Sequence, residues 1–318
     1  MIGGERWRSA TALLLLVIAA VGWLRADYFG HELLTQIAIL AIFAMSLDLL
    51  VGFTGMVSLG HAAFYGLGAY ATAGFDVMLE WSPLAAMAGA VVVGALAALI
   101  IGSFAVRLAG VFFIMVTLAV GEAVHAYLFK SRVFGGDDGL SGIARPDFSG
   151  LGFSLDDPSV FSLICVGVAG LVYVLLEVVV RSPFGRMLVA IHLNPARVRA
   201  LGCPVNRYKL AAFTLAGGLA ALAGSLTAQH NAFISPELLT WTTSGEVLIV
   251  VIVGGVGSLV GAAAGAGVMV LAMHHLSGLT DYWMFFLGLF FVAVVLFAGN
   301  GLYGVIEAVR RRLAGAAR

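Results

Sequence analysis

The stretch Arg181 to Lys209, RSPFGRMLVAIHLNPARVRALGCPVNRYK, is a long basic interruption between apolar runs, and its reading decides how the rest of the chain is arranged. It holds six of the seventeen Lys and Arg residues (Arg181, Arg186, Arg197, Arg199, Arg207, Lys209) and no Asp or Glu. A short loop with that bias faces the cytoplasm. Ser182 before Pro183, and Asn194 before Pro195, each set an N-cap oxygen ahead of a proline at the first helical position, so two short helices are predicted. The second runs from Pro195 to Leu201 and stops at Gly202, with Pro204 blocking continuation. A helix of about seven residues is marginal alone in water, so it leans on a neighbour or on a partner protein. The plainer alternative is a basic loop held near anionic lipid headgroups.

Outside this loop the chain is strongly apolar: 61% of its 318 residues are hydrophobic, 11% are charged, and the mean hydropathy is +1.05. That excludes a soluble globular protein and leaves no room for a large soluble domain, since each spanning helix takes about 20 residues. The expectation is an all-α polytopic membrane protein, a single transmembrane domain over 1–318 with membrane lipid around it and nucleic acid excluded as a partner. Cys165 lies in an apolar run and Cys203 in the basic loop, so no disulfide framework is implied. Many of the 41 glycines fall within apolar stretches, where small residues let helix backbones approach closely.

In order, the apolar runs are 10–24, 33–51, 62–79, 84–106, 111–129, 159–180, 210–229, 244–276 and 282–298. The first reads as a retained span or as the core of a secretory signal, and a retained span is favoured. Two glycine-rich interruptions break the pattern, Gly52 to His61 and Gly254 to Ser258. Irregular backbone at membrane depth survives only inside protein or beside a watery cavity, so both are predicted to be interior. Counting broken or re-entrant segments gives about ten spans with both termini cytoplasmic, and the terminal arginines agree with that parity. Residues 130–158 and 230–242 are then external loops.

The two interruptions echo one another: Val57-Ser-Leu-Gly60 with Ala62 and Ala63 resembles Gly257-Ser-Leu259 with Gly261, Ala262 and Ala263. Paired glycine-rich breaks point to a substrate path near the membrane midplane. The candidate lining is Thr54, Ser58, Gly60 and His61 from the first break with Gly254, Gly255, Gly257 and Ser258 from the second. The candidate contacts to an energy-supplying partner are Ser182, Arg186, Asn194, Pro195, Arg197, Arg199, Leu201 and Gly202. Neither lysine follows a glycine, so no phosphate-binding loop is present. Uphill transport therefore draws on a partner or on an ion gradient. The gradient reading would use Asp48, Glu122 or Glu246, although Asp48 and Glu122 equally suit hydrogen bonds to the broken backbone at 52–60. Glu177 and Arg181 form an i,i+4 pair at the inner edge. No metal-ligand spacing and no nucleophile set stands out, so neither a metal site nor a catalytic residue is expected, and a membrane-embedded enzyme is the weaker reading.

Several motifs together resemble the LivM type of branched-chain amino-acid ABC transporter permease. They are Gly52-Phe-Thr-Gly-Met-Val-Ser-Leu-Gly-His-Ala-Ala-Phe-Tyr-Gly-Leu-Gly-Ala-Tyr70, Gly135-Gly-Asp-Asp-Gly-Leu-Ser-Gly-Ile143, Ser182-Pro-Phe-Gly-Arg186, Arg207-Tyr-Lys-Leu-Ala-Ala-Phe213 and Gly254-Gly-Val-Gly-Ser-Leu-Val-Gly261. The chain departs from that family's pattern at His192-Leu-Asn-Pro195, where an acidic residue is frequent. The resemblance implies an ABC importer permease fold in a bacterial inner membrane, with 181–209 as the coupling loop and 130–158 in the periplasm. It implies a homologous second permease, two cytoplasmic ATPases and a periplasmic amino-acid-binding protein as partners. No cofactor would be bound by this chain, and ATP would be hydrolysed by the partner subunits. Leucine, isoleucine and valine are the implied solutes, with urea, amides or other amino acids as the alternative within the same family.

Overall fold

The computed structural model describes residues 22–24, 26–146, 155, 157–280, 282–297, 301 and 304. Most of the first apolar run and the terminal arginines lie outside these residues. Helix α1 (Tyr28–Thr54) starts where the Asp27 carboxylate accepts the Gly30 N–H at 3.0 Å, and ends at Gly55, whose φ of +72° reverses the chain. At 1.5 Å per residue its 27 residues reach about 40 Å, enough to cross a bilayer at a tilt. After a coil, α2 (His61–Ala73) begins and widens into a π-type turn over Gly74–Met78. Pro83 opens α3 (Pro83–Ala105), and α4 (Val111–Lys130) returns. The outer loop follows, then α5 (Pro158–Arg181), capped by Asp157. The basic loop folds as α6 (Pro183–Leu193) and α7 (Pro195–Ala200). The chain ends in α8 (Val205–Asn231), α9 (Trp241–Gly254), α10 (Leu259–Leu279) and α11 (Trp283–Phe297).

Among the described residues, α1, α3, α4, α5, α8 and α10 are long and apolar enough to cross a membrane, and α9 is a shorter apolar helix. The fold is all-α and multi-pass, with α2 and α9 as the broken segments. Most of α1 and α8 is buried, whereas only a minor share of α3, α4 and α5 is. Small residues make that centre possible. Gly94 and Ala98 of α3 meet Gly217 and Ala221 of α8, and Gly224 of α8 lies against the Tyr65 carbonyl of α2, so no side chain fits at these glycines.

The outer ends are pinned by polar contacts. The Arg145 guanidinium donates to the carbonyls of Gln229 (3.0 Å), His230 (2.9 Å) and Leu155 (3.1 Å). Strand β1 (Leu140–Ser141) pairs antiparallel with β2 (Phe233–Ile234), and Glu32 lies 2.8 Å from His230 Nε2. Asp157 is exposed, and its carboxyl is held below the usual carboxylate range by the hydroxyl and then the N–H of Ser159.

Within residues 230–242, read from the sequence as an external loop, Pro236–Leu239 forms a short 3-10 turn packed against the helices. Leu239 is buried against Gly66, where a Cβ would collide with it. The slot exists because Gly66 has no side chain, and Leu238 and Leu239 have the apolar surface to occupy it. Helix α9 follows directly, with Trp241 and Thr242 exposed and Ser244 buried.

Candidate functional site at two facing breaks and the inner loop

The coil 55–60 between α1 and α2, and the coil 255–258 between α9 and α10, lie against each other. Asp48, six residues before the end of α1, accepts the Gly257 N–H at 2.8 Å. Gly52 sits so close to the Gly257 backbone that a Cβ there would overlap it. Gly255 and Gly257 have φ of +113° and +80°, conformations that L side chains rarely adopt. Ser258 then caps α10, its Oγ accepting the Gly261 N–H at 3.1 Å, while Gly254 presses on the Gly261 carbonyl. The second break is thus shaped by close backbone packing and by two side-chain acceptors, Asp48 and Ser258.

In the first break Thr54 turns its hydroxyl back to the Leu50 carbonyl at 2.6 Å. Gly60 touches the Thr117 carbonyl of α4, which leaves no space for a side chain. His61, fully buried, meets Ser46 Oγ at 2.8 Å through Nε2 and stacks on Phe43 with ring centroids 5.5 Å apart. The Ala62 N–H, left over at the start of α2, donates to Ser244 Oγ of α9 at 2.9 Å. Ser58 Oγ and His61 Nδ1 are buried with no hydrogen-bond partner. All eight residues proposed from the sequence as path lining therefore fall in these two adjoining breaks, which are packed shut in this conformation.

The structure adds Ser46, Asp48 and Ser244 to the set. Asp48, read from the sequence either as an ion-coupling carboxylate or as a partner for its own break, accepts from the other break. Glu122 likewise accepts the Trp241 N–H at the start of α9, at 3.3 Å, rather than bonding to residues 52–60. Ser46 and Ser244 carried no signal beyond being hydroxyls inside apolar runs, and which helices they join is a matter of packing, not of spacing.

The inner loop is a capped, compact knob. Ser182 Oγ accepts the Gly185 N–H (3.3 Å) and donates to the Val179 carbonyl (2.6 Å). Asn194 Oδ1 accepts the Arg197 N–H at 2.9 Å, and Gly202 has φ of +81°. Underneath, Ile191, Val198 and Val205 form a small buried cluster joining α6, α7 and the foot of α8. On the outside Arg186, Asn194, Pro195, Arg197, Arg199, Leu201 and Gly202 are exposed together with Leu193. Glu177 and Arg181 make the expected pair, at 2.8 Å. The knob adjoins the first break: a Cβ on Gly55 would lie 3.4 Å from the His192 ring of α6. Among the described residues no group of three His, Cys, Asp or Glu side chains is placed to hold a metal ion.

Residues 31–295 match the model of a family described as the permease component of branched-chain amino acid transport systems. The chain belongs to that family. Two relatives of this permease are the high-affinity branched-chain amino acid transport system permease proteins LivM of Salmonella typhimurium and Escherichia coli. They are 31% and 30% identical to it, and each alignment covers 95% of this chain and 76% of the relative. The fructose import permease protein FrcC of Rhizobium meliloti is 26% identical over 90% of this permease and 84% of its own length. No solved structure gives a significant match. The permease is thus a multi-pass membrane protein whose relatives are permease subunits, and its two breaks and basic knob lie within the matched segment.

Proposed function

We infer that this permease is the membrane subunit of a binding-protein-dependent ABC importer that moves branched-chain amino acids inward across a bacterial inner membrane. The observation that carries the reading is the exposed, doubly capped knob of α6 and α7, set beside the break at Gly55, in a chain whose relatives over almost its whole length are LivM permeases. One of two cytoplasmic ATPases would grip that knob through Arg197, Arg199, Leu193 and Leu201, and the pair would supply the energy for transport. A second permease and a periplasmic binding protein would complete the assembly, with both termini of this chain in the cytoplasm. ATP would be bound and hydrolysed by the partner subunits alone, and the permease itself would perform no catalysis. Closure of the ATPases would shift α6 and α7 as one body, and the coils at 55–60 and 255–258 would part or close in response, exposing Thr54, Ser58, His61 and Ser258.

Charge reversal at both Arg197→Glu and Arg199→Glu tests this in vesicles that contain the full complex. Uptake of radiolabelled leucine is expected to be lost while the permease stays in the membrane and the ATPases still turn over. Unchanged coupling of hydrolysis to uptake would refute the docking role.

A further inference from the structure

A long apolar trough runs down one side of α1. Its walls are α1 from Gly30 to Met45, α5 from Val166 to Tyr173 and α10 from Val260 to Leu271, and its volume is about 620 Å³. Along α1 it is about 22 Å long, so 620 Å³ over that length averages about 28 Å² in cross-section, the girth of one hydrocarbon chain. The helices α5 and α10 each pack on α1 and little on each other, which leaves the trough between them. Its outer half is open, with Gly30, Ile37 and Gly267 half-buried and Leu271 43% exposed. Its inner end is closed, with Ala38, Ala41 and Met45 all buried.

The chemistry of the lining limits what can fill it. Tyr173 is its one polar side chain among the described residues, too little to hold the two charges of an amino acid. Water does not settle in an apolar space, and protein interiors do not keep voids of this size. Gly22 and Ala26 border the outer end. Between and beside them, Trp23 donates through Nε1 to the Ser159 carbonyl at 3.0 Å and Tyr28 is exposed, and such rings sit at the level of lipid headgroups. Beyond the trough the surface of α5 continues as Leu163, Leu171 and Val174, all exposed. The opening is therefore continuous with surface that suits lipid tails.

We propose that the trough is a binding site for one acyl tail of a bilayer phospholipid, whose headgroup stays at the outer interface beside Trp23 and Tyr28. The tail would end against Met45, which precedes the Ser46 that holds His61, and against Val260, two residues beyond the Ser258 cap. A filled trough braces α1 and α10 directly behind the two breaks, so the lipid serves as a removable part of the wall that holds them. The site rests on the membrane-spanning fold and not on the importer reading.

The test uses the permease with its copurifying subunits in proteoliposomes that contain a phosphatidylethanolamine with a photoactivatable diazirine at the methyl end of one tail. After illumination, adducts are located by mass spectrometry. They are expected at Met45 and Val260, and at Val174 on the lipid-facing side of α5, but not at Phe213, which is fully buried in α8. Moving the diazirine next to the headgroup should transfer the trough adducts to Leu33 and Leu271. Gly267→Leu sends a side chain into the trough, where a Cβ would first meet Ile37 at 3.9 Å. It should abolish the adducts at Met45 and Val260 and leave those at Val174, with Ala169→Leu in its place if that variant fails to assemble. Adducts at Met45 and Val260 no more frequent than at Phe213 would mean that protein fills the trough, and the lipid site would be wrong. Adducts that persist in the filled variant would also overturn it, since the tail would then reach those residues by another way. Labelling needs no transport, so failure of the importer reading would leave the site standing.

Discussion

Asp48 ties one broken span to the other through the backbone N–H of Gly257, 209 positions away in the chain. Removing the acceptor leaves that half-buried N–H without its carboxylate, which costs about 1 kcal/mol. Asp48→Leu should therefore lower the thermal unfolding midpoint of the purified complex clearly, and Asp48→Asn, which keeps an oxygen in place, should lower it less. Equal midpoints for the leucine variant and the unsubstituted protein would show that the two breaks hold together without this contact. The sequence marked Asp48 as a carboxylate inside a span, and hence as a residue with a task. It did not say which break the carboxylate serves, because helical periodicity assigns a residue to a face and is silent on what packs there.

At the scale of elements, the two helices of the inner loop were the most legible part of the chain. Pro183 and Pro195 with their capping partners fixed both starts, and α7 ends one residue before the predicted Leu201, next to a glycine in the left-handed region. Spans were nearly as clear, with 111–129 observed as 111–130 and 159–180 as 158–181. What escaped was the return of Pro236–Leu239 into the bundle and the two-residue strand pair. Neither has a period long enough to read, and both depend on partners more than ninety residues away, Gly66 and Leu140. The candidate path residues were legible as two glycine-rich breaks, but the contact between those breaks was not. Because α7 has only six residues, its cap carries a large share of its stability. Asn194→Ala should cost about 1 kcal/mol locally, fray α7 and slow uptake without changing the amount of protein in the membrane. Asn194→Ser should restore most of the rate. Matching rates in all three proteins would mean that α7 is held by its buried face alone.

For the whole molecule, the outer end depends on Arg145, whose guanidinium gathers three carbonyls, two from the end of α8 and one from Leu155. Hydrogen bonds to a charged group contribute about 1.5 to 3 kcal/mol, and the three share one side chain and are not additive. Arg145→Ala is expected to destabilise the protein by about 3 kcal/mol and to open residues 130–146 to protease added on the outer side. Arg145→Lys, with one compact ammonium in place of a planar fork, should recover only part of the loss. An unaltered cleavage pattern in the alanine variant would argue that the short strand pair is sufficient. Between this clamp and the basic knob stands α8, 27 residues with no interruption. A beam without a joint pivots as a whole, so a push at its foot swings its head the other way, like a seesaw. The two ends of the permease would then move out of phase, and α1, which packs along that beam and carries the Gly55 break at its end, would be carried with it.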